Sequence, residues 1–326
     1  MPYAIEARDL VKTYPKEVKA LDGLSFEVDA GTVFALLGPN GAGKSTAVKI
    51  LTTLARADAG EARVAGIDVA AEPDRVRRAI GVVSQGSGVD VNATGRENVR
   101  LQGQLYGLRG ADLRHRADAV LQRFGLADAA DRVARGYSGG MVRRLDIAMA
   151  LVHDPQVLFL DEPTTGLDPE VRAEMWQLIG GLTREHGKTV LLTTHYLDEA
   201  DQLAAELAIV DRGVMVARGT PDALKRELRG DAIHIELAGV EAPNGRLDAA
   251  LGALAGVRDV ALDGRVVRAR ADDGGRAVPA VLQALEANGL AVASVRVARP
   301  SLDDVYLRYT GRTFDAADHE AAEVAA

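Results

Sequence analysis

Short apolar runs that stop at glycine or at an acidic residue alternate with stretches of helical periodicity from the start of the chain to about residue 228. Residues 32–37 (TVFALL) are such a run, ending in glycines, and read as a buried strand. Residues 157–161 (VLFLD) and 189–193 (TVLLT) repeat the pattern. A helix is expected from Lys44 to about Thr53. Between the second and third runs, Asp168 can cap a helix, Pro169 suits its first position, and Gly187 can stop it. Val171, Met175, Leu178 and Leu182 recur there at helical spacing and give one apolar face. Strands alternating with helices predict an α/β core, a mostly parallel sheet covered by helices.

Residues 86–150 break the alternation. After a glycine-broken loop the pattern is helical and charged, with no convincing strand, which predicts a helical subdomain inserted into the core. Residues 209–216 (IVDRGVMV) read as a hairpin turning at Asp-Arg-Gly. A second unit is expected over 231–310. Its runs IHIEL, RLDAALGAL, RDVAL, RVVRARA, AVPAVLQALEANG and AVASVRVA give the order βαββαβ, the ferredoxin-like split pattern, so this domain is α+β. A short helix (SLDDVYLRY) follows Pro300, and residues 311–326, rich in Ala, Glu and Asp, are expected to form a disordered tail.

The length of 326 residues suits a large domain and a smaller one. With no cysteine, disulfides, thiolate zinc sites and cysteine nucleophiles are excluded. The net charge of −8 has the wrong sign for a chain whose main partner is a nucleic-acid backbone, so none is expected. The first residues carry charges where a signal peptide needs an apolar run. No stretch approaches the ~20 apolar residues that span a bilayer, so any membrane role is expected to come through a partner.

The chemistry starts after the first apolar run. Gly38, Pro39, Asn40, Gly41, Ala42, Gly43, Lys44 and Ser45 satisfy G-x-x-x-x-G-K-[ST], between a strand and a helix. Backbone N–H groups of such a loop, and the helix N-terminus that receives it, bind phosphate oxygens. Glycine keeps side chains out of the way and permits the backbone angles. Lys44 would reach the β- and γ-phosphates, Ser45 would ligate Mg²⁺, and Thr46 extends the cradle. Residues 157–162 (VLFLDE) place two carboxylates at the sheet edge beside that loop. Asp161 there would hold Mg²⁺, and Glu162 would act as general base toward water. Taken singly, VLFLDE is also an ordinary strand running into an acidic loop.

Residues 137–141 (YSGGM), between these two elements, resemble the L-S-G-G-Q signature of the ATP-binding cassettes of ABC transporters. Over residues 1–228 further elements fall in that family's order. The resemblance implies a P-loop NTPase ABC cassette with an inserted helical subdomain. It implies that Tyr14 stacks on adenine and that Gln85, after the run IGVVS, links Mg²⁺ to the transporter contact. It implies that the loop of Gly166, Leu167 and Asp168 crosses a dimer interface, and that His195, after TVLLT, contacts the γ-phosphate. Ser138, Gly139 and Gly140 would face the γ-phosphate held by a second cassette. Plainer roles compete: Tyr14 as cover for a core edge, Gln85 as a strand-end surface residue, Asp168 as a helix cap. His115, His153, His186, His234 and His319 read as surface or local-structure residues, and Trp176 as packing.

Tyr137 and Met141 depart from the signature, and Met141 cannot make a glutamine's hydrogen bonds. YSGGM followed by VRRLDIA, with PSLDDVYL at residues 300–307, resembles the daunorubicin-resistance-type branch, the cassettes of ABC-2-type exporters. That resemblance implies an ATPase using ATP and Mg²⁺ at the cytoplasmic face of the cell membrane. Its implied partners are a separate ABC-2-type permease and a second copy of itself or a homologous cassette. A non-transport ABC ATPase and a nucleotide-sensing or drug-sequestering module are the alternatives.

Overall fold

The computed structural model describes residues 3–15, 18–228, 230–238, 251–252, 254–314 and 316–318. The chain divides into two compact units, residues 1–220 and 221–326. In chain order the first unit holds strands β1 (Tyr3–Tyr14), β2 (Val18–Asp29) and β3 (Val33–Leu37), then helix α1 (Lys44–Leu51). There follow β4 (Ala59–Val64), β5 (Ile67–Asp68), α2 (Pro73–Ala79) and β6 (Ile80–Val83). Helices α3 (Gly95–Leu105), α4 (Gly110–Arg123) and α5 (Gly139–Leu151) come next. The unit closes with β7 (Val157–Asp161), α6 (Pro169–Arg184), β8 (Thr189–Thr194), α7 (Leu197–Leu203), β9 (Glu206–Asp211) and β10 (Val214–Gly219).

The core sheet has six strands in the order β10-β9-β3-β8-β7-β6. All pairs are parallel except the β9–β10 hairpin. That hairpin turns at Arg212 and Gly213, both at positive φ, as its Asp-Arg-Gly sequence predicts. Strand β3 and all six residues of β8 are buried throughout, the pattern of strands covered on both faces. Because β3, β6, β7 and β8 run the same way, the loops that leave their C-terminal ends meet at one edge of the sheet.

A second sheet, β2-β1-β4-β5, is antiparallel throughout and was not foreseen in the sequence. Ile5, Ala7, Leu10, Leu21, Leu24, Phe26 and Val28 point into a core shared with the parallel sheet, and Phe26 stacks on Phe34 at 5.5 Å. The alternation of these positions is interrupted by bulges, one between Ala7 and Leu10, where Asp9 takes a φ of 48°. The 86–150 region holds α3, α4 and α5, the first of them opened by a capping box between Thr94 and Glu97. The expected helix from Lys44 ends at Leu51 and not near Thr53, which has a φ of 66°.

The second unit opens with helix α8 (Pro221–Glu227), so the division falls before this helix and not near residue 230. It continues with β11 (Asp231–Leu237), β12 (Val257–Asp263), β13 (Val266–Ala271), α9 (Gly274–Ala287), β14 (Val292–Ala298) and α10 (Leu302–Thr310). The sheet order β12-β13-β11-β14, all antiparallel, is that of a ferredoxin-like α+β domain. Of the helix expected at residues 246–254, only 251, 252 and 254 are described. The expected disordered tail is corrected in its first part: Phe314 and Ala317 are buried, and Phe314 meets the Tyr306 ring edge-on at 4.9 Å. An aromatic side chain gains too much by burial to be left loose when a pocket is within reach. Residues 319–326 lie outside the described residues.

Candidate functional site

The cradle follows directly from β3. The Gly38 N–H donates to the Thr194 carbonyl, so the loop is anchored to β8. Gly43 caps α1 at a φ of 107°, and a Cβ there would press on the Ala20 carbonyl oxygen of β2, so only glycine fits. Asn40 and Gly41 are exposed at the loop tip, while Gly38, Pro39, Ala42 and Gly43 are buried and Ser45 and Thr46 half-buried. Lys44 is 4% exposed, and its Nζ donates to the carbonyls of Gly38 at 2.6 Å and Pro39 at 2.9 Å. An anion entering the loop would draw the ammonium from neutral carbonyls to charged oxygens, a stronger pairing.

Glu162, just past β7, gathers the other loops around it. Gln85 Nε2, beyond the end of β6, donates to its Oε2 at 3.3 Å, and the Thr165 hydroxyl donates to the same oxygen at 3.2 Å. His195 Nδ1, just past β8, lies 3.3 Å from its Oε1, and Lys44 Nζ 4.0 Å from that oxygen. Burial pushes the Glu162 carboxyl up, but His195, Lys44 and Thr165 together outweigh burial and hold it below the ordinary carboxylate value. It is therefore ionised at neutral pH, as an acceptor of a proton from water must be.

Asp161 faces the cradle. Its Oδ1 accepts from Ser45 Oγ at 3.1 Å and from Thr193 Oγ1 at 2.5 Å, and Thr193 Oγ1 accepts in turn from the Glu162 N–H at 3.1 Å. A hydroxyl and a carboxylate at this distance are hard oxygen donors of the kind Mg²⁺ takes from proteins, in ones and twos, when phosphates and waters fill the remaining positions. The donor set fits a metal that arrives with a nucleotide.

Ser138, Gly139 and Gly140 begin α5. The Ser138 hydroxyl caps the helix by accepting from the Met141 N–H at 3.3 Å. A Cβ on Gly140 would stand 2.5 Å from Val171 Cγ1, so the glycine lets the start of α5 touch the start of α6. Asp168 caps α6 by accepting from the Val171 N–H at 3.0 Å. Ser138–Gly140 and the 167–171 segment thus form a second patch. Tyr137 turns away from it, donating from its hydroxyl to the Ala129 carbonyl at 2.7 Å, and Met141 Sδ lies 3.5 Å from Arg132 Nη2. Tyr14 ends β1, half-buried beneath Lys12 and paired with Val18, two residues along β2 from the Ala20 that packs on Gly43.

Two groups escaped sequence reasoning. Arg143, one and a half turns into α5, donates to the carbonyls of Ser84, Asp161, Glu162 and Pro163. Glu199 on α7, with no exposure, accepts from Thr164 Oγ1 at 2.7 Å and Trp176 Nε1 at 3.1 Å, so Trp176 is a donor as well as packing. Neither carries a spacing motif; a charged residue at a core-facing helical position was the one available signal.

With this geometry in place, two family profiles match the chain: ABC transporter over residues 21–165, and ATP-binding protein DrrA1-3-like, C-terminal domain, over residues 219–310. The chain is 45% identical over 325 residues to the daunorubicin resistance ATP-binding protein DrrA2 of Streptomyces coeruleorubidus, covering 98% of this chain and 99% of that protein. Among solved structures it is similar to cbiO1 of Clostridium perfringens, part of the ABC transporter complex cbiONQ. The identity there is 28%, the TM-score 0.65, and the match covers 70% of this chain and 92% of that one. It is also similar to an ATP-binding cassette solved as a dimer in a post-hydrolysis state with ADP and Pi. There the identity is 28%, the TM-score 0.60, and the match covers 66% of this chain and 98% of that one.

Proposed function

This chain belongs to the daunorubicin-resistance-type ATP-binding proteins of ABC transporters, and from that premise we propose how its residues bind and hydrolyse ATP and what the hydrolysis drives. It is the nucleotide-binding, ATP-hydrolysing subunit of an ABC exporter. The cradle from Gly38 to Thr46 wraps the phosphates, Lys44 neutralises the β- and γ-phosphates, and Tyr14 stacks on the base. Ser45 and Asp161, with Gln85 alongside, would hold Mg²⁺, which supplies charge neutralisation on the phosphates. Water adds to the γ-phosphorus as its bond to the β–γ bridging oxygen breaks. Glu162 takes the proton, and ADP and phosphate leave. His195 steadies Glu162 and the γ-phosphate.

The observation that carries this is the meeting of Lys44, Gln85 and His195, from three separate segments, and of Thr165, from the loop of Glu162 itself, on the one carboxylate of Glu162. The second patch completes the site in another molecule. Ser138, Gly139 and Gly140 face the γ-phosphate held by a second copy of this chain or by a homologous cassette, and the 166–168 loop crosses the interface between the two. A phosphate gripped from both sides binds the closed pair better than the open one, which is the differential affinity a switch needs. The helical subdomain passes the opening and closing to an ABC-2-type permease at the cytoplasmic face of the membrane. The compound exported belongs to the hydrophobic drugs and secondary metabolites, as the name of the Streptomyces relative suggests.

Ser138→Arg tests the two-chain site. Hydrolysis is expected to be abolished while binding of a fluorescent ATP analogue to the single chain persists. Equal loss of binding would contradict the composite site.

A further inference from the structure

Glu162 is held in a conformation that its own residue type disfavours. Its φ is 48°, in the left-handed region, where a non-glycine residue is strained and persists only if neighbours over-determine it. From the strand side, the Thr193 hydroxyl and carbonyl oxygens both accept from the Glu162 N–H at 3.1 Å. On the other side stands one side chain. Arg143 is 8% exposed; its Nε donates to the Pro163 carbonyl at 2.8 Å, and its Nη2 to those of Asp161 at 3.0 Å and Glu162 at 3.1 Å. Three consecutive carbonyls around the strained residue thus share one guanidinium. Its Nη1 donates to the Ser84 carbonyl at 2.8 Å, next to Gln85.

One turn further along α5, Asp146 is 7% exposed and accepts from the Gly88 N–H at 2.9 Å. One face of this helix therefore holds both the 161–163 turn and the 84–88 loop, the segments that carry Glu162 and Gln85. Ser138 caps the start of the same helix, five residues and about 7 Å before Arg143.

We propose that Arg143 is the positioning residue for hydrolysis: it fixes the Glu162 turn and joins it rigidly to the Ser138 end of α5, so that a phosphate engaged at Ser138 in one site sets the carboxylate of this chain's own site. This rests on the two-chain site proposed above. A guanidinium is suited to the task because its planar fork spreads N–H donors over several acceptors, whereas a lysine ammonium offers its donors from a single point. Loss of the fork leaves Glu162 in the chain but lets it wander, and a misplacement of about 1 Å is enough to cost about 100-fold in rate.

The test compares full-length Arg143→Lys and Arg143→Ala with the parent and with Glu162→Gln, measuring kcat, ATP affinity and the ATP-dependent dimer. For Arg143→Lys, kcat is expected to fall about 100-fold, with ATP affinity changed by no more than about twofold and the ATP-bound dimer accumulating. Arg143→Ala, if it folds, shows the same split more severely; Arg143→Lys carries the test if it does not. A parent-like kcat in Arg143→Lys overturns the proposal. So does a loss of ATP affinity and melting temperature in step with kcat and with no dimer, the behaviour of a merely structural residue. An inactive Glu162→Gln beside a fully active Arg143→Lys rejects the positioning role alone, whereas a fully active Glu162→Gln rejects the site reading beneath it.

Discussion

Two buried glutamates lie close to the same loop and are pushed in opposite directions. Glu162 has His195 and Lys44 beside it, and although burial raises its pKa, these two bring it down. Glu199 is fully buried, and burial raises its pKa more than the bonds from Thr194, Thr164 and Trp176 lower it. A carboxyl with a raised folded-state pKa contributes stability below its unfolded pKa and loses it as pH rises, so at neutral pH the charge on Glu199 is a cost. Glutamine at 199 keeps an oxygen for both the Thr164 hydroxyl and the Trp176 N–H without that charge. Glu199→Gln is therefore expected to melt at or above the parent temperature at pH 7. Glu199→Leu leaves two donors unpaired and is expected to lose about 1–3 kcal/mol. Thermal unfolding of the two variants decides it, and a Glu199→Gln protein less stable than Glu199→Leu would refute the account of this residue.

At the scale of elements, the second residue after α5, His153, joins the helical subdomain to the parallel sheet. His153 stacks on Tyr106, at the C-terminal end of α3, with centroids 3.6 Å apart, and its Nε2–H donates to the Ile80 carbonyl at 2.9 Å. Burial lowers its pKa, so the neutral ring is the folded form. The stability it contributes is present above the unfolded value near 6.5 and is lost as pH falls through the folded value. The melting temperature is expected to fall between about pH 7 and about pH 5, and to fall less steeply in His153→Gln, which cannot titrate there. An identical slope in both proteins would remove His153 from the acid response.

What was legible at this scale follows locality. The ends of β3, β7 and β8 and the caps of α6 are set by residues within one or two turns of each other, and each was readable. The antiparallel sheet was not, because bulges shift the phase of its alternation and β4 is mostly exposed. Arg143 and Glu199 were not, because their partners lie up to 59 residues away and include backbone carbonyls, which leave no mark in the sequence. That Lys44, Asp161 and Glu162 meet at one edge of the sheet was readable, because a glycine-rich loop after one buried strand and an acidic end on another both fall at the C-terminal edge of a parallel sheet.

The whole molecule carries one half of each of two proposed sites: a cradle with its carboxylate for its own nucleotide, and a Ser138 patch for a neighbour's. Among the described residues no helix is long and apolar enough to cross a membrane. In this account motion enters the bilayer through a permease and originates in the closing and opening of two cassettes around ATP. Glu162→Gln isolates that event, since it keeps the phosphate contacts and removes the proton acceptor. The direct measurement is sedimentation of Glu162→Gln with and without Mg²⁺-ATP. The protein is expected to sediment as a stable dimer with nucleotide and as a monomer without it, with turnover lost. A monomer saturated with ATP, or hydrolysis at the parent rate, would contradict the central claim.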